Sequence, residues 1–412
     1  MNEDAHGRLA GGLGLLAMAL LGIGLPVAMV LANKSAPAVL VAAMLAALGA
    51  VWAGGAFPAF RRRHLVLLRS PIAIAAMIFA GLAVASLIWS IDRPATLRSV
   101  IESVLMAYVG LVAASAVPDV ATRSSGWLLV AGLALSSVLA AAEAAGGMVL
   151  HGWLGERLAL FDLKRSCVVL TLLALPALGF LRLRGRPLLA MLAPLVALAP
   201  AVLAWAGTAM LGLLTGVIVF AMARLAPRAT LNVVALVWFA LLACAPFAGH
   251  LATTMLPPRL VNVLAHSHAA ERMAIWSAFE ARTHDRPWLG HGFDTSWRVS
   301  THPRPAGVAP DVVADRTIEN LHPHHSYLQI WVELGAVGAL AAAAVFGFIL
   351  RGMAQAPPGG QALRVALLAS AMVMALVGFG LWQAWWSAAL ASAMIWLVAL
   401  SRTSMLEEMS RA

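Results

Sequence analysis

The chain has 412 residues, of which 62% are hydrophobic and 11% charged, against about 25% charged residues in a soluble domain. That arithmetic excludes a water-soluble single domain and a disordered chain. The net charge is +10 with only two lysines among 28 basic residues, and the arginines fall in short segments between apolar runs, so they build no continuous face for nucleic acid.

Since a bilayer core requires roughly 20 apolar residues per helix, twelve runs qualify in chain order: 9–31, 37–56, 71–90, 99–117, 126–149, 166–181, 187–205, 207–223, 230–251, 326–350, 365–379 and 381–400. The predicted fold class is an all-α polytopic membrane protein of about 12 transmembrane helices, with one large outer loop containing short helices. The first run is longer than the usual ~7–15 residue core of a signal peptide, and Glu3 and Asp4 offset Arg8 ahead of it. It reads as a retained helix. The tightest divisions fall at Trp205-Ala206-Gly207 and at Gly378-Phe379-Gly380, where a broken or re-entrant helix fits.

An even number of spans places both termini on one side. The short segments on that side carry 15 Lys and Arg, the opposite short loops carry six, and the remaining seven sit in one long loop that the positive-inside rule does not count. Both termini are therefore expected in the cytoplasm. The expected division is residues 1–251 as helices one to nine, 252–325 as the outer loop, and 326–412 as the last three helices and a cytoplasmic tail. Cys167 and Cys244 lie inside apolar runs and predict buried thiols, without a disulfide framework.

The outer loop concentrates eight of the twelve histidines, seven prolines, seven arginines and seven acidic residues. A loop of that length is usually functional or disordered, and Trp276, Trp288 and Trp297 among helical stretches argue for order. In Glu271–Glu280, helical spacing puts Arg272, Trp276 and Phe279 on one face. This pattern suits a helix that caps a cavity or one that lies on the interface with its arginine among headgroups. In Asp285–Asp294, the run Pro287-Trp288-Leu289-Gly290-His291-Gly292 predicts a tight turn.

The richest stretch is Asn320–Gly335, where His322, His324 and His325 run directly into an apolar helix. Helical winding from His325 brings Gln329 and Glu333 to the same face. A glutamate that deep in a span must be paired or face a cavity. Adjacent histidines diverge on a helix and no His-Glu-x-x-His or Asp pair accompanies them, so no metal site is expected. Arg157, Lys164 and Arg165 lie on the outer side against the positive-inside trend. Phosphate or anionic headgroups explain cations placed there.

Together, Arg272 with Trp276, the turn Pro287–Phe293 and the run His325-x-x-Leu328-Gln329-x-x-x-Glu333-x-Gly335 resemble the O-antigen ligase superfamily. The motifs cover about residues 150–340, and the remainder resembles the family by helix number. The resemblance implies an enzyme that transfers a glycan from an undecaprenyl-diphosphate carrier to an acceptor hydroxyl at the periplasmic face of the inner membrane. In the ligases the acceptor is lipid A-core. It implies His325 as the catalytic histidine and Arg272 as a diphosphate ligand, with no cofactor, no metal and no nucleic-acid partner. Arg157, Lys164 and Arg165 are further candidates for the diphosphate, and Glu333, Gln329, His322 and Trp276 for supporting roles. One departure stands out: the family often has an arginine at the outer end of the span that here begins Gly207-Thr208-Ala209.

Chemically, a diphosphate is already a good leaving group, so the protein needs a base for the acceptor and cations for the departing charge. His325 is expected to be that base and Glu333 to orient an arginine or the histidine helix, with direct displacement inverting the anomeric carbon. O-antigen polymerases and protein O-oligosaccharyltransferases use the same donor, and the expected lack of a soluble domain after Arg402 favours the ligase. A transporter or flippase of a lipid-linked sugar is the reading from another class. It predicts midplane charges and repeated halves, which this sequence lacks.

Overall fold

The computed structural model describes residues 2–153, 160–255, 259, 269–304, 307, 311–319, 321–356 and 358–409, and all regular structure among them is helical. The helices are α1 (Asn2–Ala19), α2 (Leu25–Leu31), α3 (Ala36–Ala53), α4 (Phe57–Leu68), α5 (Pro71–Ala85), α6 (Arg93–Val120), α7 (Gly126–Gly146), α8 (Val149–Trp153) and α9 (Leu163–Leu183). They continue as α10 (Pro187–Leu203), α11 (Gly207–Leu225), α12 (Pro227–Cys244), α13 (Ala248–Met255), α14 (Ala269–Asp285), α15 (Val312–Thr317), α16 (Ser326–Ala354), α17 (Pro358–Val377) and α18 (Ala384–Met409).

Eleven segments among the described residues are long and apolar enough to cross a membrane, and the remaining expected span, α10, is an apolar helix of Pro187–Leu203. The chain is a polytopic membrane protein. Helices dominate because every backbone amide in hydrocarbon needs an internal partner. Large side chains such as Ile78, Leu188, Leu236 and Leu340 stay more than 60% exposed, which suits lipid rather than water.

The first span is built from α1 and α2 joined by a π-helical turn at Leu20–Gly24. One face packs into the bundle, with Met18, Leu21 and Leu25 buried, while Leu9, Leu15 and Leu16 are exposed. A β-carbon on Gly132 would overlap the Gly22 carbonyl oxygen, so α7 crosses this span backbone against backbone. Close crossings through small residues are how membrane helices gain packing without a hydrophobic drive between them.

Among the described residues two large apolar clusters organise the bundle, and a small third one gathers Ala83, Val100, Phe293 and Leu334. Of the large ones, one joins the first spans, α7, α9, α10 and α18, and the other joins α12, α14, α16 and α17. Helix α9 is the most enclosed span, 83% buried over its most apolar window. Its N-terminal end carries Lys164 and Arg165, while α16 begins at Ser326 immediately after His325. The candidate site therefore lies where these two helices begin.

Helix α16 is broken at Gly335, which has φ +62° and ψ −159°. The break releases backbone groups that the glycine turn satisfies: His291 N donates to Val332 O at 3.0 Å and Gly292 N to Glu333 O at 2.8 Å. In return Ala336 N donates to Pro287 O at 2.8 Å and Val337 N to Trp288 O at 3.2 Å. This exchange fixes the outer loop onto the membrane helix. A β-carbon on Gly335 would sit 2.3 Å from the Trp288 carbonyl carbon. Gly335→Ala is thus expected to cost more than about 3 kcal/mol through left-handed strain and overlap, seen as loss of monodisperse protein and a lowered Tm. Gly347→Ala, with no atom within 4 Å of the added carbon, should be tolerated.

Candidate active site

Helix α14 delivers Arg272 and Trp276 to the site while Phe279, on the same face, is buried in the core. The two indole and imidazole rings of Trp276 and His325 meet edge to face at 5.2 Å. Arg272 lies within Coulombic range of both His324 and Lys164. On α9, Arg165 donates to Asn33 Oδ1 at 3.2 Å, and Asn33 Nδ2 donates to Asp162 at 2.7 Å. The Arg165 guanidinium stands 5.8 Å over the Trp385 ring and within Coulombic range of His322. Two sequence-predicted cations, Arg272 and Arg165, are thereby brought within range of the histidines, and Lys164 within range of Arg272. Arg157 lies outside the described residues.

Cations at the start of α9 oppose the positive end of its own helix dipole, and α16 starts at the same site. Asp162, directly before α9, and Glu271 beside Arg272 offset part of this positive potential, and a bound anion would offset more. Burial lowers the Arg272 pKa, with Glu271 opposing, but a guanidinium keeps its charge at any working pH.

The histidines differ in the hydrogen bonds they make. His325 is the N-cap of α16, and its Nδ1 accepts from Leu328 N at 3.1 Å, as an Asn or Ser oxygen does at helix starts. A backbone N–H can only donate, so Nδ1 is bare and the neutral ring carries its proton on Nε2. His324, at φ +50°, points elsewhere: its Nδ1 lies 2.8 Å from the Gly378 carbonyl oxygen. A carbonyl can only accept, so Nδ1 is protonated and Nε2 presents a lone pair. The expected base is His325; in the structure its Nδ1 is occupied by the cap, whereas the nitrogen left with a lone pair on the neutral His324 ring is Nε2. The two residues are adjacent, and only the left-handed backbone and the cap separate their tasks.

His322 lies against His324 with ring centroids 4.2 Å apart, and its Nε2 is buried without a hydrogen bond. Burial, then His324 and Arg165, push its pKa down to about 3. Burial pushes His325 to about 4, and it also lowers His324, against which the Gly378 hydrogen bond acts. All three rings are held neutral. Among the described residues no group of three His, Cys, Asp or Glu side chains is placed to hold a metal ion.

Glu333 is fully buried and engages five neutral donors: Asp294 N at 2.8 Å, Ser296 N at 3.3 Å, Ser296 Oγ at 2.5 Å, Gln329 Nε2 at 2.9 Å and Trp382 Nε1 at 2.6 Å. Of the two expected partners, an arginine or the histidine helix, it engages Gln329 on the histidine helix, together with groups of the loop and the turn. Beyond the loop, Arg282 is buried and donates to Asp285, Val299 O and His302 O, at 2.5–2.8 Å. Sequence reasoning missed Asn33, Trp382, Trp385 and the Gly378 carbonyl. For Gly378, Trp382 and Trp385 the sequence signal was the tight glycine division after residue 377.

Residues 194–343 match a family model described as O-antigen ligase. That span contains α14, the glycine turn, the histidines and Glu333, and leaves out Lys164, Arg165 and the Gly378 turn. The chain is 24% identical over 253 residues to a protein of Rickettsia prowazekii (strain Madrid E) named as a candidate polysaccharide ligase, covering 57% of this chain and 59% of that one. It is 26% identical over 143 residues to a Rickettsia bellii (strain RML369-C) protein of the same name, covering 33% of this chain and 32% of that one. The matches thus span less than two thirds of either relative.

Proposed function

We propose, on the premise of the O-antigen ligase resemblance, that this chain transfers a glycan from undecaprenyl diphosphate to a hydroxyl of lipid A-core. The reaction takes place at the periplasmic face of the inner membrane, with both termini cytoplasmic and residues 252–325 in the periplasm. The observation that carries this reading is a neutral His324 with its Nδ1 committed to the Gly378 carbonyl and Arg272 within Coulombic range, with Lys164 in range of Arg272 and Arg165 in range of the neighbouring His322. His324 Nε2 takes the acceptor hydroxyl proton, the oxygen bonds to the anomeric carbon, and the bond from that carbon to the diphosphate oxygen breaks. The electron pair leaves on the diphosphate, where the cations stabilise it. One displacement inverts the anomeric configuration. His325, whose free nitrogen carries a proton, serves as cap and hydrogen-bond donor. No cofactor enters the reaction.

A lowered pKa keeps His324 unprotonated below its ordinary 6.5. The transfer rate is accordingly expected to stay level from neutral pH to below 6.5 and to fall only as pH drops through the lowered value. A limb centred above 6.5 would contradict this. In cells, loss of the gene is expected to leave core-only lipopolysaccharide. A product with one repeat unit would move the reading to an O-antigen polymerase, and intact lipopolysaccharide with lost protein glycosylation to an oligosaccharyltransferase.

A further inference from the structure

The turn between α17 and α18 lies outside the matched residues 194–343 yet is tied to the site at three points. Gly378 O accepts from His324 Nδ1 at 2.8 Å, Leu381 N donates to Gln329 Oε1 at 2.9 Å, and Trp382 Nε1 donates to Glu333 Oε2 at 2.6 Å. Gln329 Nε2 also donates to Glu333 Oε1 at 2.9 Å, so the Leu381 and Trp382 ties form one network with the loop residues Asp294 and Ser296 behind it, and the turn they hold carries the Gly378 carbonyl. The Trp382 ring is packed 4.3 Å from Phe293. At Gly380 a β-carbon would come within 3.4 Å of the His322 ring, so the turn runs directly along the histidines.

We propose that this turn, latched by Gln329 and Glu333 through Leu381 and Trp382, is the positioning element that holds His324 in its base tautomer. The Gly378 carbonyl occupies the place that a carboxylate takes in a Ser-His-Asp triad: it binds Nδ1–H, fixes the ring and leaves Nε2 bare. A neutral acceptor suits a site crowded with cations, because a carboxylate there would compete with the substrate phosphates for the arginines. Gln329, Glu333 and Trp382 act through the turn and do not touch the reacting atoms. The role of His324 rests on the transferase reading, while the tautomer does not.

The test uses the full chain in nanodiscs with ¹³C,¹⁵N-labelled histidine, the His324→Gln variant assigning the resonance. Wild type should show His324 protonated at Nδ1 and His325 at Nε2. Trp382→Phe keeps the ring against Phe293 but removes the donor to Glu333. It is expected to convert His324 to a tautomer mixture and leave the His325 signal, which reports the intact helix cap, unchanged. In transfer assays the same variant should lose about tenfold in kcat, a fraction of the 10²–10⁴ a general base contributes, with KM for the donor unchanged. Its acidic limb should move to lower pH, because the Gly378 bond favours the protonated ring, while Arg272 and Arg165, the charges facing the histidines, stay in place. An unaltered His324 signal, or a fall in kcat with an unmoved limb, overturns the proposal. Absence of transfer by wild type would instead overturn the transferase reading, with the tautomer result still deciding this one.

Discussion

His324→Ala is expected to lower kcat for glycan transfer by about 10²–10⁴-fold, while His325→Asn retains most of the activity. The two substitutions separate a reacting nitrogen from a structural one. Asn is among the strongest N-cap residues, so it can accept from Leu328 N where His325 Nδ1 does. Loss of the cap in His325→Ala should cost about 1 kcal/mol of stability, read as a lower Tm with transfer persisting. His324→Ala removes the imidazole whose Nδ1 is committed to the Gly378 carbonyl and whose Nε2 presents the lone pair. The opposite pattern, an inactive His325→Asn beside an active His324→Ala, would return the base role to His325.

The second large effect is expected at the cations. Arg272→Ala should reduce kcat by about 10²–10³-fold, the loss typical of removing one preorganised donor to transition-state charge. Arg272→Lys should recover only part of it, since an ammonium replaces the fork of guanidinium donors with a point charge. Lys164→Ala, which removes the like charge within range of Arg272, should raise KM for the lipid-linked donor more than it lowers kcat. Steady-state kinetics with a short-chain prenyl diphosphate glycan separate these outcomes. Equal kinetic constants in wild type and Arg272→Ala would remove the diphosphate from this cluster.

The spans were legible because hydrocarbon imposes a simple demand: enough apolar residues, with the backbone bonded to itself. Helix α9 was expected to start at 166 and starts at Leu163, which brings Lys164 and Arg165 onto its first turn. The arginine that the resembled family often has at the outer end of α11 is missing where this chain reads Gly207-Thr208-Ala209. Cations at the start of α9 supply charge at the same end of the bundle, and Thr208 Oγ1 instead donates to Val377 O at 3.5 Å, next to the turn that holds His324. Arg272, Lys164, Arg165 and the histidine run were recognisable as chemistry because their types and boundary positions fit no apolar span.

What the sequence did not disclose was which groups meet across long separations. Glu333 and Trp382 are 49 residues apart, and His324 and Gly378 are 54 apart. Burial said that Glu333 needed partners, but an arginine and a ring of neutral donors satisfy that need equally on paper. The choice between His324 and His325 depends on a single backbone angle, φ +50° at His324, which follows from the surrounding turn and not from residue type. Adjacent identical residues carry no sequence signal that could separate them.

The most direct test is transfer by the purified full chain in proteoliposomes supplied with undecaprenyl-diphosphate glycan and lipid A-core. The expected result is a new lipid A-core glycan of inverted anomeric configuration, with release of undecaprenyl diphosphate, and its loss in both His324→Ala and Arg272→Ala. Movement of the intact lipid-linked glycan across the bilayer without cleavage of its diphosphate bond would contradict the account and identify a transporter.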